Sequence, residues 1–101
     1  MDLEKFIEEQ KKFSKIAFGP YPRPKGIIEH IKSELKEIEK DPEDLLEWVD
    51  VILLAIDGAW RAGYSGSTIE AALKHKLEVN KNREWPDWRD ADEGEAIEHV
   101  K

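Results

Sequence analysis

The chain has 101 residues, no cysteine, and a net charge of −7 from 23 acidic and 16 basic side chains. This length predicts one domain over residues 1–101, and the missing cysteines exclude a disulfide framework and thiolate chemistry. The acidic balance argues against direct nucleic-acid binding. The charged start "MDLEKFIEEQKK" is unlike a secretory signal, and the longest uncharged run, 51–56, is too short to span a bilayer. We therefore expect an intracellular protein with no membrane partner.

Four helical segments and no convincing strand can be read along the sequence, which predicts an all-α fold. The first helix is predicted over about residues 2–18, because apolar side chains recur there on one side at helical spacing. Gln10 and Ser14 interrupt that apolar side. The following loop, "GPYPRPKG", contains three prolines and two glycines and cannot continue a helix.

The second helix is predicted over about residues 26–40, with an apolar stripe opposite a charged face. The third is predicted to open in "DPED", with Asp41 as its N-cap and Pro42 in its first turn. It should run to residue 61 or 62 and stop at Gly63.

The fourth helix is predicted to begin at Ser67, because Glu70 completes the spacing of a capping box. It should continue to about residue 83. The acidic tail, residues 85–101, is predicted to be irregular at first, with a final turn over 95–100.

Two pairs of carboxylates, Glu34 with Glu37 and Glu47 with Asp50, are each three residues apart and therefore share a helix face. The short "EKDPED" connection makes the two helices antiparallel neighbours, so the pairs should face each other. Converging carboxylates repel unless a cation neutralises them. Oxygen ligands without cysteine favour Mg²⁺ or Mn²⁺. The alternative is a set of ordinary surface salt bridges.

Asp57 lies on the same arc of the third helix, but Arg61 follows it by four residues. A structural ion pair is the simplest account, and a ligand or substrate role is the alternative. His30 lies one turn before Glu34. A di-iron site built from Glu-x-x-His is disfavoured, because no histidine here follows a glutamate by three residues.

Lys76, Asn80 and Arg83 stand at positions i, i+4 and i+7, in the middle of the apolar stripe of the fourth helix. Polar groups placed there should point inward. They either neutralise the carboxylates or bind phosphate groups, through the fork of arginine and the point charge of lysine.

The strings "ELKE", "EWVD" and "KLEVNKNR" resemble the all-α nucleoside triphosphate pyrophosphatases, the MazG-like and dimeric dUTPase superfamily. The superfamily pattern E-E-x-x-E begins here with Ser33 in place of the first glutamate. The longer strings "FSKIAFGPYPRPKGIIEHIKSELKEI" and "DPEDLLEWVDVILLAIDGAWRAG" resemble phage and prophage MazG-like dATP/dGTP diphosphohydrolases. These include the MazZ enzymes that accompany 2-aminoadenine genomes.

The resemblance implies a four-helix MazG-like bundle that forms a homodimer or a dimer of dimers, with active sites shared between subunits. It implies hydrolysis of purine deoxynucleoside triphosphates, dGTP and dATP, to the monophosphate and pyrophosphate. Two or more Mg²⁺ or Mn²⁺ ions per active site are expected. The expected location is the cytoplasm of a phage-infected or prophage-bearing bacterium.

On this resemblance the metal ligands are Glu34, Glu37, Glu47 and Asp50, and the metals activate water for attack at the α-phosphate. Glu37 and Glu47 are the catalytic candidates, with Glu37 as the candidate base. The phosphate-binding candidates are Lys76, Asn80 and Arg83. The candidates for contacting the nucleobase or sugar, each with simple packing as its alternative, are Gln10, Phe13, Ser14, Phe18, His30 and Asp57.

Other functions stay open on the sequence alone. They are a non-enzymatic helical interaction module with a structural acid cluster, a pyrimidine-specific pyrophosphatase, and a phosphohydrolase that releases single phosphates. The third helix is apolar around most of its circumference, and a single hairpin cannot cover that much apolar surface. We therefore expect an obligate oligomer in which Trp48 and Trp60 are buried, one or both against another subunit.

Overall fold

A computed structural model describes residues 1–101, and its regular structure is entirely helical. No strand is present, so the prediction of an all-α chain with four helices is confirmed. None of the helices is long and apolar enough to span a lipid bilayer. The helices are α1 (Leu3–Phe18), α2 (Pro24–Lys40), α3 (Leu45–Arg61) and α4 (Gly66–Lys81), followed by one short 3-10 helix (Trp88–Asp90).

The first two helices begin with recognisable end signals. Asp2 caps α1, because its Oδ1 accepts a hydrogen bond from the Lys5 amide at 3.2 Å. The second helix begins at Pro24, two residues before its predicted start. Proline is tolerated at that position because the first amides of a helix have no intrahelical acceptor. The first helix ends at Gly19, whose φ of +88° suits glycine.

The start of α3 differs from the prediction. Asp44, not Asp41, is the N-cap, and its Oδ1 accepts from the Leu46 amide at 3.0 Å. The preceding residues form a turn in which the Asp44 amide donates to the Asp41 carbonyl oxygen at 3.2 Å. The end agrees with the prediction, because α3 stops at Arg61 and Gly63 follows with a φ of +109°.

The fourth helix begins at Gly66 rather than at Ser67 and ends two residues before residue 83. Ser65 supplies the cap, since its Oγ accepts from the Thr68 amide at 3.2 Å. The Gly66 amide instead donates to Glu8 Oε1 of α1 at 2.9 Å. A local cap and an acceptor on another helix therefore both stabilise this start.

The chain divides into two compact units, residues 1–70 and residues 71–101. In the first unit, α2 packs on α3 as a helical hairpin and α1 packs against α3. Its core joins Ile7, Ile56, Trp60 and Ile69. The predicted burial of Trp60 is confirmed, whereas Trp48 is 48% exposed in the single chain. Burial of Trp48 against another subunit stays a prediction, as does a single domain over the whole chain.

The second unit contains the end of α4 and the tail. The Val100 amide donates to the Glu84 carbonyl oxygen at 2.8 Å, and the rings of Trp85 and His99 meet edge to face with centroids 6.0 Å apart. The turn predicted over 95–100 is absent, because these residues lie without helical structure after a turn at 92–95. The end of the tail is held instead by the contacts of His99 with Trp85 and of Val100 with Glu84.

Candidate active site

Three of the four predicted metal ligands meet across the α2–α3 hairpin. Glu34, Glu47 and Asp50 each offer a carboxylate oxygen, and these oxygens lie within 4.8 Å of one another. Glu34 and Glu47 are partly buried, while Asp50 is exposed. We call these three residues the acid cluster. Its convergence follows from the i, i+3 spacing of Glu47 and Asp50 on α3, which the short connection turns toward Glu34 on α2.

The acid cluster has no compensating lysine or arginine. No nitrogen of either residue type lies within 4.0 Å of its oxygens, and the one basic group in reach is His30, whose Nε2 is 3.5 Å from Glu34 Oε1. The pKa of Glu47 is raised, first by burial, then by the neighbouring Glu34 carboxyl and by the charges of Asp44 and Asp50. Close oxygen donors without a cation on the chain suit a hard divalent ion.

The fourth predicted ligand, Glu37, is not part of the acid cluster. It is exposed, and its Oε1 lies 3.7 Å from Lys40 Nζ on the same helix. Positions three apart differ by about 60° around a helix, so one member of a pair can face the neighbouring helix while the other turns away. A role for Glu37 as ligand or base stays a prediction.

A cavity of about 340 Å³ adjoins the acid cluster, since Glu34 and Asp50 are among its lining residues. Leu53, Leu54 and Ile27 give it an apolar wall. The structure also places in its lining every residue that the sequence proposed for contact with a nucleobase or sugar. These are Gln10, Phe13, Ser14, Phe18, His30 and Asp57.

Two aromatic rings border this cavity and remain accessible. Phe13 and Phe18 meet edge to face with centroids 6.4 Å apart and planes at 88°. They are 64% and 53% exposed. A flat apolar ligand in the cavity could stack on one of them, because the pair does not bury its own faces.

Ser14 and Asp57 line the cavity but are already engaged with Arg61. Arg61 Nε donates to Asp57 Oδ2 at 2.9 Å, which is the predicted ion pair. Ser14 Oγ donates to Asp57 Oδ1 and accepts from Arg61 Nη2 at 2.9 Å. All three residues are buried. These bonds favour a structural role for Ser14 and Asp57, the alternative that the sequence left open.

Arg61 also fixes the proline-rich loop beside the cavity. Its Nη1 donates to the carbonyl oxygens of Gly19 at 2.8 Å and Tyr21 at 2.6 Å. We call Arg61, Asp57, Ser14 and these two carbonyls the arginine network. Every Arg61 nitrogen has at least one acceptor. The local sequence indicated only the pair with Asp57, because the other partners lie 40 or more residues away in the chain.

Arg23 is a lining residue that the sequence did not single out as a site residue. Its side chain makes no hydrogen bond or ion pair, so it is an unpaired cation beside a cavity that is also lined by carboxylates. The only sequence signal was its place in the loop between prolines. Stiff loops hold side chains in place before a ligand arrives.

The predicted phosphate-binding residues belong to the second unit. Arg83 Nη1 lies 3.4 Å from Asn80 Oδ1 and 3.5 Å from His99 Nδ1, and all three residues are partly buried. Lys76 is exposed. Two of the three candidates are thus in contact with each other, and their relation to substrate phosphates stays a prediction.

Comparisons with known proteins confirm one part of the resemblance read from the sequence, the similarity to phage dATP/dGTP hydrolases. A family model described as dATP/dGTP pyrophosphohydrolase matches residues 6–101. The Eaa protein of Salmonella phage P22 is 44% identical over 61 residues, which cover 60% of this chain and 18% of that protein. The chain thus spans only a small part of its phage relative. No solved structure matches the chain.

Proposed function

The chain belongs to the dATP/dGTP pyrophosphohydrolase family, and we propose from this that it hydrolyses dATP and dGTP to the deoxynucleoside monophosphate and pyrophosphate. The observation that carries the proposal is the acid cluster beside a cavity, because Glu34 and Asp50 belong to both. A nucleoside triphosphate needs both parts. Its phosphates require a cation held by carboxylates, and its base requires an apolar space of limited size.

The proposed cofactor is Mg²⁺ or Mn²⁺, with two or more ions per site. Glu34, Glu47 and Asp50 would hold it, and Glu37 is proposed as a further ligand. When bound, such ions neutralise phosphate charge and lower the pKa of water. Glu34, Glu47 and Asp50 fit this role because their oxygens are close together and have no lysine or arginine partner, His30 being the one basic group in reach.

The proposed reaction is attack of water at the α-phosphorus, with cleavage of its bond to the bridging oxygen and departure of pyrophosphate. A carboxylate must take the proton of the attacking water, and Glu37 is the proposed base. What supports Glu37 is that it lies one turn from Glu34 on the same helix and is exposed, paired only with Lys40 at the surface. Lys76, Asn80 and Arg83 are the proposed phosphate contacts as charge moves to the leaving group.

The proposed base site is the cavity with Phe13 and Phe18 at its border. A purine stacks over more area than a pyrimidine, and base stacking contributes about 1–3 kcal/mol, or about 5- to 150-fold in specificity. The loop that carries Arg23 is stiffened by prolines and held by Arg61, so little ordering is left to occur on binding. These features favour dATP and dGTP over dCTP and dUTP.

We also propose that the chain belongs to the MazG-like superfamily and to its MazZ branch. The strings quoted in the sequence analysis support this assignment. A homodimer or dimer of dimers is proposed because α3 exposes a row of large apolar side chains. These are Leu45, Leu46, Trp48 and Ile52.

The test is hydrolysis of all canonical dNTPs and NTPs with Mg²⁺ or Mn²⁺, with products separated by chromatography. The expected products are dAMP or dGMP with pyrophosphate. Release of single phosphates would identify a different phosphohydrolase, preference for dCTP or dUTP would identify a pyrimidine enzyme, and no turnover would favour an interaction module. Glu47→Gln should reduce this turnover, because it removes a charge of the acid cluster. Glu39→Gln is its matched control and should not, because Glu39 is exposed and lies outside the acid cluster.

A further inference from the structure

The Gln10 side chain is held by one half of its amide and unpaired at the other. Its Nε2 donates to the Leu53 carbonyl oxygen at 2.7 Å. Its Oε1 is buried and has no hydrogen-bond partner. Gln10 and Leu53 both line the cavity proposed for the nucleobase. An unpaired acceptor in a binding cavity is a group that a ligand donor can satisfy.

The contact with Leu53 fixes which end of the amide is left free. Exchanging the nitrogen and the oxygen of Gln10 would set two carbonyl oxygens against each other at 2.7 Å. Neither atom can donate, so they would repel. The orientation of this amide is therefore determined by its partner. Gln10 therefore keeps its donor engaged and has one free acceptor at the cavity wall, which is shielded from solvent and which a ligand donor reaches once the side chains that cover it move aside.

We propose that Gln10 recognises the base through this single acceptor, an inference that rests on the proposed function. A glutamine with a free amide can pair with a donor and an acceptor at once, and so select one base. Adenine and guanine present different patterns on their pairing edges, yet each has an N–H donor there. The 6-amino group serves in adenine, and N1–H or the 2-amino group serves in guanine. One acceptor suits both bases, which explains how a single cavity can accept dATP and dGTP.

The same reasoning names the base that the site should reject. Pyrimidines also carry N–H donors, so their exclusion depends on stacking and not on Gln10. A purine without any donor leaves Oε1 unpaired. Leaving such a group unpaired lowers binding by about 5- to 150-fold, the equivalent of about 1–3 kcal/mol.

The first experiment uses the wild-type protein with Mg²⁺ and compares dATP with the triphosphate of purine 2′-deoxyriboside. The analogue has the same ring system but no amino group and no N1–H. We expect kcat/KM for the analogue to be at least about 5-fold lower than for dATP. Equal values for the two substrates would overturn the inference without touching the proposed function. Absence of any dNTP hydrolysis would overturn both.

The second experiment repeats the comparison in Gln10→Met, which keeps an unbranched side chain of similar length but has no amide. The ratio of kcat/KM between dATP and the analogue should fall to about 1, because neither substrate can then pair. Asn82→Ala is the control. The Asn82 amide also donates to a backbone carbonyl, that of Glu78 at 2.8 Å, but Asn82 is exposed and does not line the cavity.

The control should keep the wild-type ratio. An undiminished ratio in folded Gln10→Met would show that the discrimination arises elsewhere and would overturn the inference. Should Gln10→Met fail to fold, the wild-type comparison of dATP with the analogue decides the question alone.

Discussion

The acid cluster and the arginine network lie in the same helical unit and are built in opposite ways. In the arginine network, a buried cation meets a buried carboxylate, a hydroxyl and two carbonyl oxygens. In the acid cluster, three carboxylates meet with no lysine or arginine in reach. The first arrangement satisfies its own charges, whereas the second leaves like charges together.

This difference separates a structural role from a functional one. Buried charges that are paired and hydrogen-bonded persist because removing one partner is costly. Unpaired like charges destabilise the fold that holds them, so they are expected where a ligand supplies the missing charge. The acid cluster and the arginine network both contain carboxylates that helical spacing placed on one arc of α3. Only the partners of these carboxylates distinguish the two sites.

The largest expected effect comes from breaking the arginine network. Arg61→Met removes every hydrogen bond of the guanidinium and leaves the Asp57 carboxylate buried without a cation. Removing one partner of a buried pair costs about 3–5 kcal/mol. The free energy of unfolding, measured by urea denaturation, should fall by that amount.

Arg89→Met is the control for this substitution. Arg89 Nη1 is 3.1 Å from Asp87 Oδ2, but both side chains are largely exposed. Exposed pairs contribute about 0–1 kcal/mol. Similar losses in the two variants would show that the arginine network does not stabilise the fold as described.

The second prediction concerns activity and the acid cluster. Asp50→Asn and Glu47→Gln keep the shape of each side chain but remove a charge that should hold the metal. We expect kcat/KM for dATP to fall by at least about 100-fold, which corresponds to about 2.7 kcal/mol of transition-state stabilisation. Binding of Mn²⁺, followed by calorimetry, should weaken in parallel. Full activity in either variant would contradict the metal-site proposal.

The third prediction tests whether Ser14 supports the fold or contacts substrate. Ser14→Ala leaves Asp57 Oδ1 without its hydroxyl donor. The expected loss is about 1–3 kcal/mol in the free energy of unfolding. KM for dATP should stay within about twofold of the wild type, because the hydroxyl is already engaged. A large rise in KM with unchanged stability would show that Ser14 contacts the base and does not support the fold.

Helix positions could be predicted from the sequence where the local signal was clear, as in the apolar periodicity of α1 and the stop of α3 at Gly63. The start of α3 was misplaced because "DPED" offers two capping aspartates. Only the fold shows that the Asp44 carboxylate accepts from the Leu46 amide while the Asp44 amide donates to the Asp41 carbonyl oxygen. The start of α4 was misplaced because Ser65, not Ser67, is the capping serine, and because the Gly66 amide also finds an acceptor on α1. Local patterns carry no information about such a partner.

The candidate site, like the helix ends, could be predicted only in part from the sequence. Spacing predicted that four carboxylates converge, and three of them, Glu34, Glu47 and Asp50, do so. It could not tell which member of the Glu34–Glu37 pair faces α3. The residues proposed for base contact do share a cavity. Spacing predicted the Asp57–Arg61 pair, but it could not show that Ser14 is bonded to both of these residues, because those hydrogen bonds join residues more than 40 positions apart.

The smallest expected effect is on the stability of the metal-free protein, and its sign distinguishes the two clusters. Folding raises the pKa of Glu47 through burial and the neighbouring Glu34 carboxyl. Between the ordinary glutamate pKa and the raised value, the folded state holds a proton that the unfolded state has released. Stability therefore falls as pH rises through this window, and Glu47→Gln should remove that loss.

In EDTA, the Tm of Glu47→Gln minus that of the wild type should grow as the pH rises above the ordinary glutamate pKa of about 4, because only the wild type has the Glu47 carboxyl whose deprotonation destabilises the folded state. Adding Mg²⁺ should reverse the difference, since metal binding requires the deprotonated carboxylate and stabilises the folded wild type by mass action. Glu39→Gln should show neither change, because Glu39 is exposed and outside the acid cluster. A difference that is constant with pH and unaffected by Mg²⁺ would mean that Glu47 is not held against its neighbours. The acid cluster would then be an ordinary charged surface, and its contrast with the arginine network would be lost.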